Sequence, residues 1–324
     1  MDTATNATDV TRPSKVDLYR GYIEHARDMR LGAELREMVD NAEACRLGAG
    51  SRRRALFLIG ASGSGKSFAL RHHFSLIPEF QAKVNEYGES CRTILSFEAP
   101  EPCTSKDFAV AILQAIDVPV KARTTEGELY AMVKTQLRER GILYLHVDEA
   151  QHLLRHKTTA AVLDVQDRLK SLMQIEDWPL HTIYSGVPQL ADILKGDKQL
   201  ANRSKVMRFI PLNLPDDRVT IDQVLTEVVE EKCGLKVPEE LRQDDFLGRL
   251  CLANSGCYGT IIESVQSACF LVMNKGKDTV DQRAFSFNYQ RDTGCLPSDN
   301  IFTAKRWSEI NPDNALADLA SASD

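Results

Sequence analysis

The sequence predicts an α/β fold, a parallel sheet flanked by helices, followed by a small all-helical domain. Three observations predict it. A short apolar run over 55–59 leads into Gly60-Ala61-Ser62-Gly63-Ser64-Gly65-Lys66-Ser67, which fits G-x-x-x-x-G-K-S/T between a strand and a helix. Short apolar runs then alternate with helical periods as far as about residue 215, the pattern of a parallel sheet. Beyond that point, 216–292 shows helical periodicity alone.

Composition narrows the class further. With 324 residues, 43% hydrophobic and 27% charged, the chain can bury a real core, which excludes global disorder. No apolar run approaches the roughly 18 residues of a membrane span. The opening MDTATNATDVTRPSK has no basic stretch followed by an apolar one, so a cytoplasmic location is expected. The eight cysteines show neither C-x-x-C nor zinc spacing and are expected as reduced, mostly buried thiols. A net charge of -6 argues against coating nucleic acid by bulk charge.

Taken in order, residues 1–14 read as a mobile tail. Val16, Leu18, Tyr19, Tyr22 and Ile23 predict a helix over 15–29. Leu35, Met38, Val39 and Ala42 predict a second over 33–46, stopped by Gly48 and Gly50. These form a helical segment over 15–50 ahead of a nucleotide-binding α/β domain over 51–215. Strands are expected at 55–59 (ALFLI), 93–97 (TILSF), 142–147 (ILYLHV) and 182–185 (TIYS). Helices are expected over 66–77, ending at Pro78, over 107–115, over 159–175, and up to residue 138 from the capping box Thr125-Glu126-Gly127-Glu128. A helical lid over 216–292 carries helices at 218–231, 244–253 and 258–273, and a short one opened by Thr279-Val280-Asp281-Gln282. Residues 293–324, rich in Asp, Ala, Ser and Asn, read as a flexible tail.

The glycine loop points to phosphate chemistry. Its glycines let backbone N–H groups face a phosphate, and the following helix adds its N-terminal dipole. Lys66 is placed to neutralise the β- and γ-phosphates of ATP, and Ser67 to ligate Mg²⁺. The nucleotide-binding set is therefore Gly60 through Ser67, with Phe68 and Asp148. The run ending in Val147-Asp148-Glu149 delivers two carboxylates to the C-terminal end of a buried strand, where open α/β sheets bind ligands. Asp148 can hold Mg²⁺, and Glu149 can orient and deprotonate the attacking water. His146, inside the strand, reads as a core histidine. Ser185 ends the next strand and is placed to hydrogen-bond the hydrolytic water, although a serine that merely ends a strand reads equally well. Arg203 and Arg208 are positioned as candidate arginine fingers offered to a neighbouring subunit's γ-phosphate.

With these elements in this order, the chain resembles the AAA+ ATPases, and within them the TniB/TnsC family of transposition regulators, relatives of MuB. The resemblance spans about residues 15–292. It also rests on Ser96-Phe97-Glu98-Ala99-Pro100-Glu101-Pro102-Cys103-Thr104, on Ala111-Ile112-Leu113-Gln114-Ala115-Ile116 and on Val147-Asp148-Glu149-Ala150-Gln151-His152. Tyr184-Ser185-Gly186-Val187-Pro188-Gln189-Leu190 and Arg208-Phe209-Ile210-Pro211-Leu212 complete it. The resemblance implies ATP-driven assembly into a ring or filament on double-stranded DNA, without sequence preference. It also implies recruitment of a transposase, a link to a target-selection protein, and disassembly on hydrolysis. It places DNA contacts at Lys106, Lys121, Arg123, Thr124 and Thr125, which would position rather than read the duplex. One departure stands out: Ser255-Gly256-Cys257-Tyr258-Gly259-Thr260 carries no arginine where many AAA+ lids sense nucleotide, which favours a switch over a processive motor.

Two other readings share the fold: a replication-initiator or clamp-loader ATPase, expected to carry a further DNA-binding domain beyond residue 292, and a secretion or signalling ATPase that never touches DNA. Charge is unevenly spread. Residues 51–75 hold five basic and no acidic side chains, whereas 151–324 hold 20 basic and 25 acidic. A single copy should therefore bind DNA weakly, and assembly would multiply a few phosphate contacts through effective concentration.

Overall fold

A computed structural model describes residues 14–84, 88, 90–154 and 158–313. The chain divides into two compact units, His25–Ile210 and Met1–Glu24 with Pro211–Asp324. The expected tail over 1–14 falls, except for Ser14, outside the described residues, as does the expected tail beyond residue 313.

The expected 15–50 segment is divided between the units. Helix α1 (Lys15–Arg20) is capped by Ser14 and ends at Gly21, earlier than the apolar spacing predicts. Helix α2 (Ala26–Arg46) begins seven residues before the predicted start, because His25 and Asp28 form a capping box that the Ser/Thr signature does not cover. Gly32 lies inside α2 without breaking it, and a side chain there would press on His73.

The larger unit is a five-stranded parallel sheet. Its strands are β1 (Ala55–Gly60), β4 (Ile94–Glu98), β5 (Tyr144–Asp148), β6 (His181–Gly186) and β7 (Ser204–Phe209), ordered β4-β5-β6-β1-β7. The short strands β2 (Lys83–Val84) and β3 (Ser90–Cys91) pair separately. β1 and β6 are buried at every residue, as the continuous apolar run of 55–59 requires of a strand covered on both faces. Burying Phe57 or Leu58 contributes roughly 1.5–3 kcal/mol each. β7 was not predicted: its sequence SKVMRF is interrupted by Lys205 and Arg208, and only Met207 and Phe209 are buried, as suits an edge strand.

Helices α3 (Lys66–Leu76), α4 (Ser105–Gln114), α5 (Glu126–Glu139), α6 (Thr159–Leu172) and α7 (Lys198–Asn202) connect the strands. Leu129, Val133, Leu137, Ile112 and Leu169 are fully buried in the same core as Phe57 and Leu145. The capping box predicted at Thr125 forms, with Thr125 Oγ1 accepting from the Glu128 N–H.

The smaller unit holds α8 (Arg218–Leu225), which passes into a wider π-type turn over Thr226–Lys232, then α9 (Asp244–Ala253), α10 (Tyr258–Asn274) and α11 (Gln282–Thr293). α11 starts at Gln282 because Asp281, not Thr279, caps it. α1 packs here: Gln266 donates to the Leu18 carbonyl at 3.0 Å and Lys232 to the Tyr22 carbonyl at 2.9 Å. The flexible tail expected from residue 293 is corrected for the described part. Ile301 and Phe302 are buried, Phe302 meets Phe285 at 5.6 Å, and Arg249 donates to the Ile301 and Ala304 carbonyls. Cys295, Ile301 and Phe302, with Trp307 and Ile310 packed against the same core, anchor this Asp- and Asn-rich stretch. Six of the eight cysteines are buried. Among the described residues no helix is long and apolar enough to cross a membrane.

Candidate active site

The predicted loop residues gather at the C-terminal ends of β1, β5 and β6. Gly63 and Gly65 adopt left-handed backbone, φ 72° and 88°, which only glycine enters freely. The loop thus curls around its own carbonyls, and Lys66, 6% exposed, reaches back across it. Its Nζ donates to the Gly60 carbonyl at 2.8 Å, the Ala61 carbonyl at 2.9 Å and Ser64 Oγ at 3.3 Å. Arg27 of α2 braces the outside: its guanidinium donates to the Ser64 carbonyl at 2.7 Å and stacks 4.0 Å over Phe209. Nothing in the sequence around Arg27 signals this role. Phe68 is partly exposed at the start of α3, with Arg71 over its ring.

Asp148 ends β5, close to the helix that follows the loop. Ser185 donates to Oδ1 at 2.6 Å and the Glu149 N–H donates to Oδ1 at 3.0 Å, and the nearby Ser67 hydroxyl helps to hold the carboxyl down. Burial pushes the Asp148 carboxyl up, but these hydrogen bonds outweigh it and hold the group below its ordinary value. The two residues expected at a metal, Ser67 and Asp148, are therefore brought together.

Behind Asp148 a buried polar chain crosses three strands. Ser185 spends its proton on Asp148, so its oxygen accepts from His146 Nε2 at 2.9 Å. That leaves His146 Nδ1 as an acceptor for Ser96 Oγ–H at 2.7 Å. Burial holds the His146 pKa down at about 4, partly offset by Asp148, so the ring is neutral. His146 is buried as expected of a core histidine, and it also fixes the direction of every proton in this chain. Ser185 is fully buried, and its proton goes to Asp148 rather than to the hydrolytic water expected for it.

Glu149 leaves β5 in left-handed backbone, φ 51°. For a residue with a side chain this costs on the order of 1–2 kcal/mol, a strain typical of functional positions. Its carboxylate accepts from the Gln151 amide, whose oxygen accepts the Val187 N–H at 3.2 Å. Beside it, His152 pairs with Glu101 at 3.5 Å.

The two arginine candidates lie at opposite ends of β7. Arg208, exposed, pairs in register with Ile59 near the loop. Arg203 precedes the strand, at the far end of the sheet. β1 runs six residues between the two ends, about 20 Å, which no arginine side chain spans. Arg203 joins Arg52 and Arg54 around a cavity of about 370 Å³. With the Gln174 amide turned to present its oxygen, Arg203 donates to it at 2.5 and 2.7 Å, and Arg54 donates to the Met173 carbonyl. None of the three meets a carboxylate among the described residues.

The DNA-contact candidates share one place. Lys106 opens α4 and Lys121-Ala122-Arg123-Thr124-Thr125 leads into α5. The helix starts are joined by Ser105 Oγ donating to Glu126 at 2.6 Å and Tyr130 donating to the Ser105 carbonyl. Lys106, Lys121 and Arg123 are exposed. The hydroxyl protons of Thr124 and Thr125 are already committed, to the Lys121 carbonyl and the Glu128 carboxylate.

The chain matches the family model described as bacterial TniB protein over residues 20–214. No curated protein matches it. Among solved structures, it is similar to Cdc6p from Pyrobaculum aerophilum (TM-score 0.58, 14% identity, covering 87% of this chain and 71% of that one). It is also similar to the ORC2 protein of Aeropyrum pernix in its ADP form (TM-score 0.58, 13% identity, 90% and 76%). A third is the Walker-type ATPase PABY2304 of Pyrococcus abyssi (TM-score 0.51, 15% identity, 84% and 73%). The sheet, the loop and these likenesses give the P-loop fold of the AAA+ ATPases, and the chain belongs to the TniB family.

Proposed function

We propose that this protein is an ATP-hydrolysing switch for DNA transposition. In this reading, ATP-loaded copies assemble on double-stranded DNA, recruit and activate a transposase, connect it to a target-selection protein, and come apart on hydrolysis. The observation that carries the reading is the phosphate loop, with Lys66 held across it, at the same end of the sheet as Asp148 and Glu149 in a chain of the TniB family.

The residues suit MgATP. Gly63 and Gly65 shape a cradle of backbone N–H groups, and Lys66 is held across its mouth by loop carbonyls that phosphate oxygens can replace. Ser67 and Asp148 offer hard oxygen donors of the kind Mg²⁺ prefers. Mg²⁺ usually takes only one or two carboxylates beside the phosphates, so a lone Asp148 is sufficient. When bound, MgATP supplies the electrophilic γ-phosphorus and the leaving ADP. Glu149 serves as general base and Asp148 as metal holder, fixed from behind by Ser185 and His146. Arg203, with Arg52 and Arg54 near it, serves the γ-phosphate of a neighbouring copy, since it stands too far from its own loop. Lys106, Lys121 and Arg123 form the backbone-contacting patch, with Thr124 and Thr125 shaping it rather than donating to phosphate.

Duplex binding by the full chain, measured by fluorescence anisotropy at low salt, tests the reading. ATP and a non-hydrolysable analogue should support binding at least tenfold tighter than ADP, and the affinity should fall steeply with salt. Failure of the ATP-loaded protein to bind duplex removes DNA from the reading and leaves a switch that acts on protein partners.

A further inference from the structure

Gln151 is half-buried, and both ends of its amide are used. The Nε2 group donates to the Glu149 carboxylate, and Oε1 accepts the N–H of Val187, the first residue past β6. β6 lies between β5 and β1, the strand that leads into the phosphate loop. One amide thus ties the Glu149 carboxylate to the strand on the loop side of β5. A planar amide can donate to a carboxylate through its nitrogen while its oxygen accepts from a backbone N–H.

An independent feature points the same way. Gly186 is not in left-handed backbone, so conformational freedom does not call for glycine there. Space does: a Cβ at 186 would overlap Oε1 of Gln151. The end of β6 is notched to admit this amide.

We propose that Gln151 is a positioning residue for hydrolysis. It holds the Glu149 carboxylate where it accepts a proton from water, as the water oxygen bonds to the γ-phosphorus, the bond to the β-phosphate oxygen breaks and ADP leaves. Gly186 makes room for it. The inference rests on Glu149 being the general base.

The test uses the full chain and four variants: Gln151→Met, which keeps length and loses the hydrogen bonds; Gly186→Ala, which keeps the amide and displaces it; the double variant; and Glu149→Gln. Gln151 also lines an open cavity of about 670 Å³, which gives the methionine room. ATPase kcat and KM, affinity for a fluorescent ATP analogue, and Tm are measured. Each single variant should lower kcat about tenfold, with nucleotide affinity within about twofold of the parent. The double variant should be no slower than the slower single one, because both changes break one contact. Glu149→Gln should lose about a hundredfold or more. An unchanged or raised kcat in Gln151→Met, additive losses in the double variant, or affinity and Tm falling in step with kcat would each overturn the proposal. A dead Glu149→Gln beside a fully active Gln151→Met sinks the positioning role alone. A fully active Glu149→Gln sinks the general-base reading with it.

Discussion

The two ends of the sheet are built on opposite principles. At the loop end, polar groups close on one another: Lys66 on loop carbonyls, Ser185 on Asp148, Gln151 on Glu149. At the other end, Arg52, Arg54 and Arg203 surround a cavity with no carboxylate among the described residues to balance them. Buried polar groups are normally satisfied within the chain, and charges brought together at a surface cleft raise the local concentration of opposite charge. The loop end thus closes on groups of its own copy, while the arginine end carries positive charge that none of its lining residues balances. In a head-to-tail assembly one end meets the other, and heterologous contacts of this kind generate rings or filaments.

That contrast breaks most sharply at Lys66. Lys66→Ala should cripple nucleotide binding, weakening a fluorescent ATP analogue by a hundredfold or more in titration. Ordinary affinity in that variant would show that the closed end is not a phosphate site. Arg203→Ala should do the reverse. Nucleotide affinity of dilute protein should stay within about twofold, while turnover at assembling concentration falls by on the order of 10³, the scale of arginine fingers. A loss of affinity in dilute protein would mean that Arg203 serves its own copy.

The loop and the β5 carboxylates were legible because their chemistry is encoded in short, ordered spacing. The ties behind them were not. Arg27, His146 and Gln151 act through contacts set by the sheet order, and each looks like an ordinary helix, core or turn residue in sequence. Ser185 was located correctly, but the direction of its proton depends on Asp148 and His146 on the adjacent strand. β7 was missed because an edge strand buries only alternate residues and its charged ones hide the run. The start of α2 was missed because a histidine took the cap, and the C-terminal anchor because its apolar residues, Cys295, Ile301, Phe302, Trp307 and Ile310, are scattered without a helical or strand period. Nothing in the sequence alone brought Arg52 and Arg54 to the same cavity as Arg203.

The smallest expected effect lies at the arginine end. His181 opens β6, fully buried, with Nδ1–H donated to the Pro179 carbonyl at 2.7 Å and Nε2 accepting from Asn41 at 2.8 Å. Burial lowers its pKa to about 4, with the charge on Arg54 adding to the effect. The unfolded chain takes up this proton near pH 6.5 and the folded one only near 4. Stability is therefore lost as pH falls through that window, by about 2 kcal/mol between pH 7 and pH 5 for this one ring. Urea unfolding at the two pH values checks it, with His181→Gln expected to lose that share of the pH dependence. An unchanged slope in the variant would mean that the ring is not held neutral by the fold.

In the proposed switch, a working site takes its loop from one copy and its arginine from the next. The most direct measurement mixes Lys66→Ala protein with Arg203→Ala protein and follows ATP hydrolysis. Each alone should be silent. Together they should recover turnover that neither shows alone, up to about a quarter of the parental rate, because an ATP-loaded Arg203→Ala copy can still take its arginine from a Lys66→Ala neighbour. No recovery at any ratio, with parental turnover per copy independent of protein concentration, would contradict it.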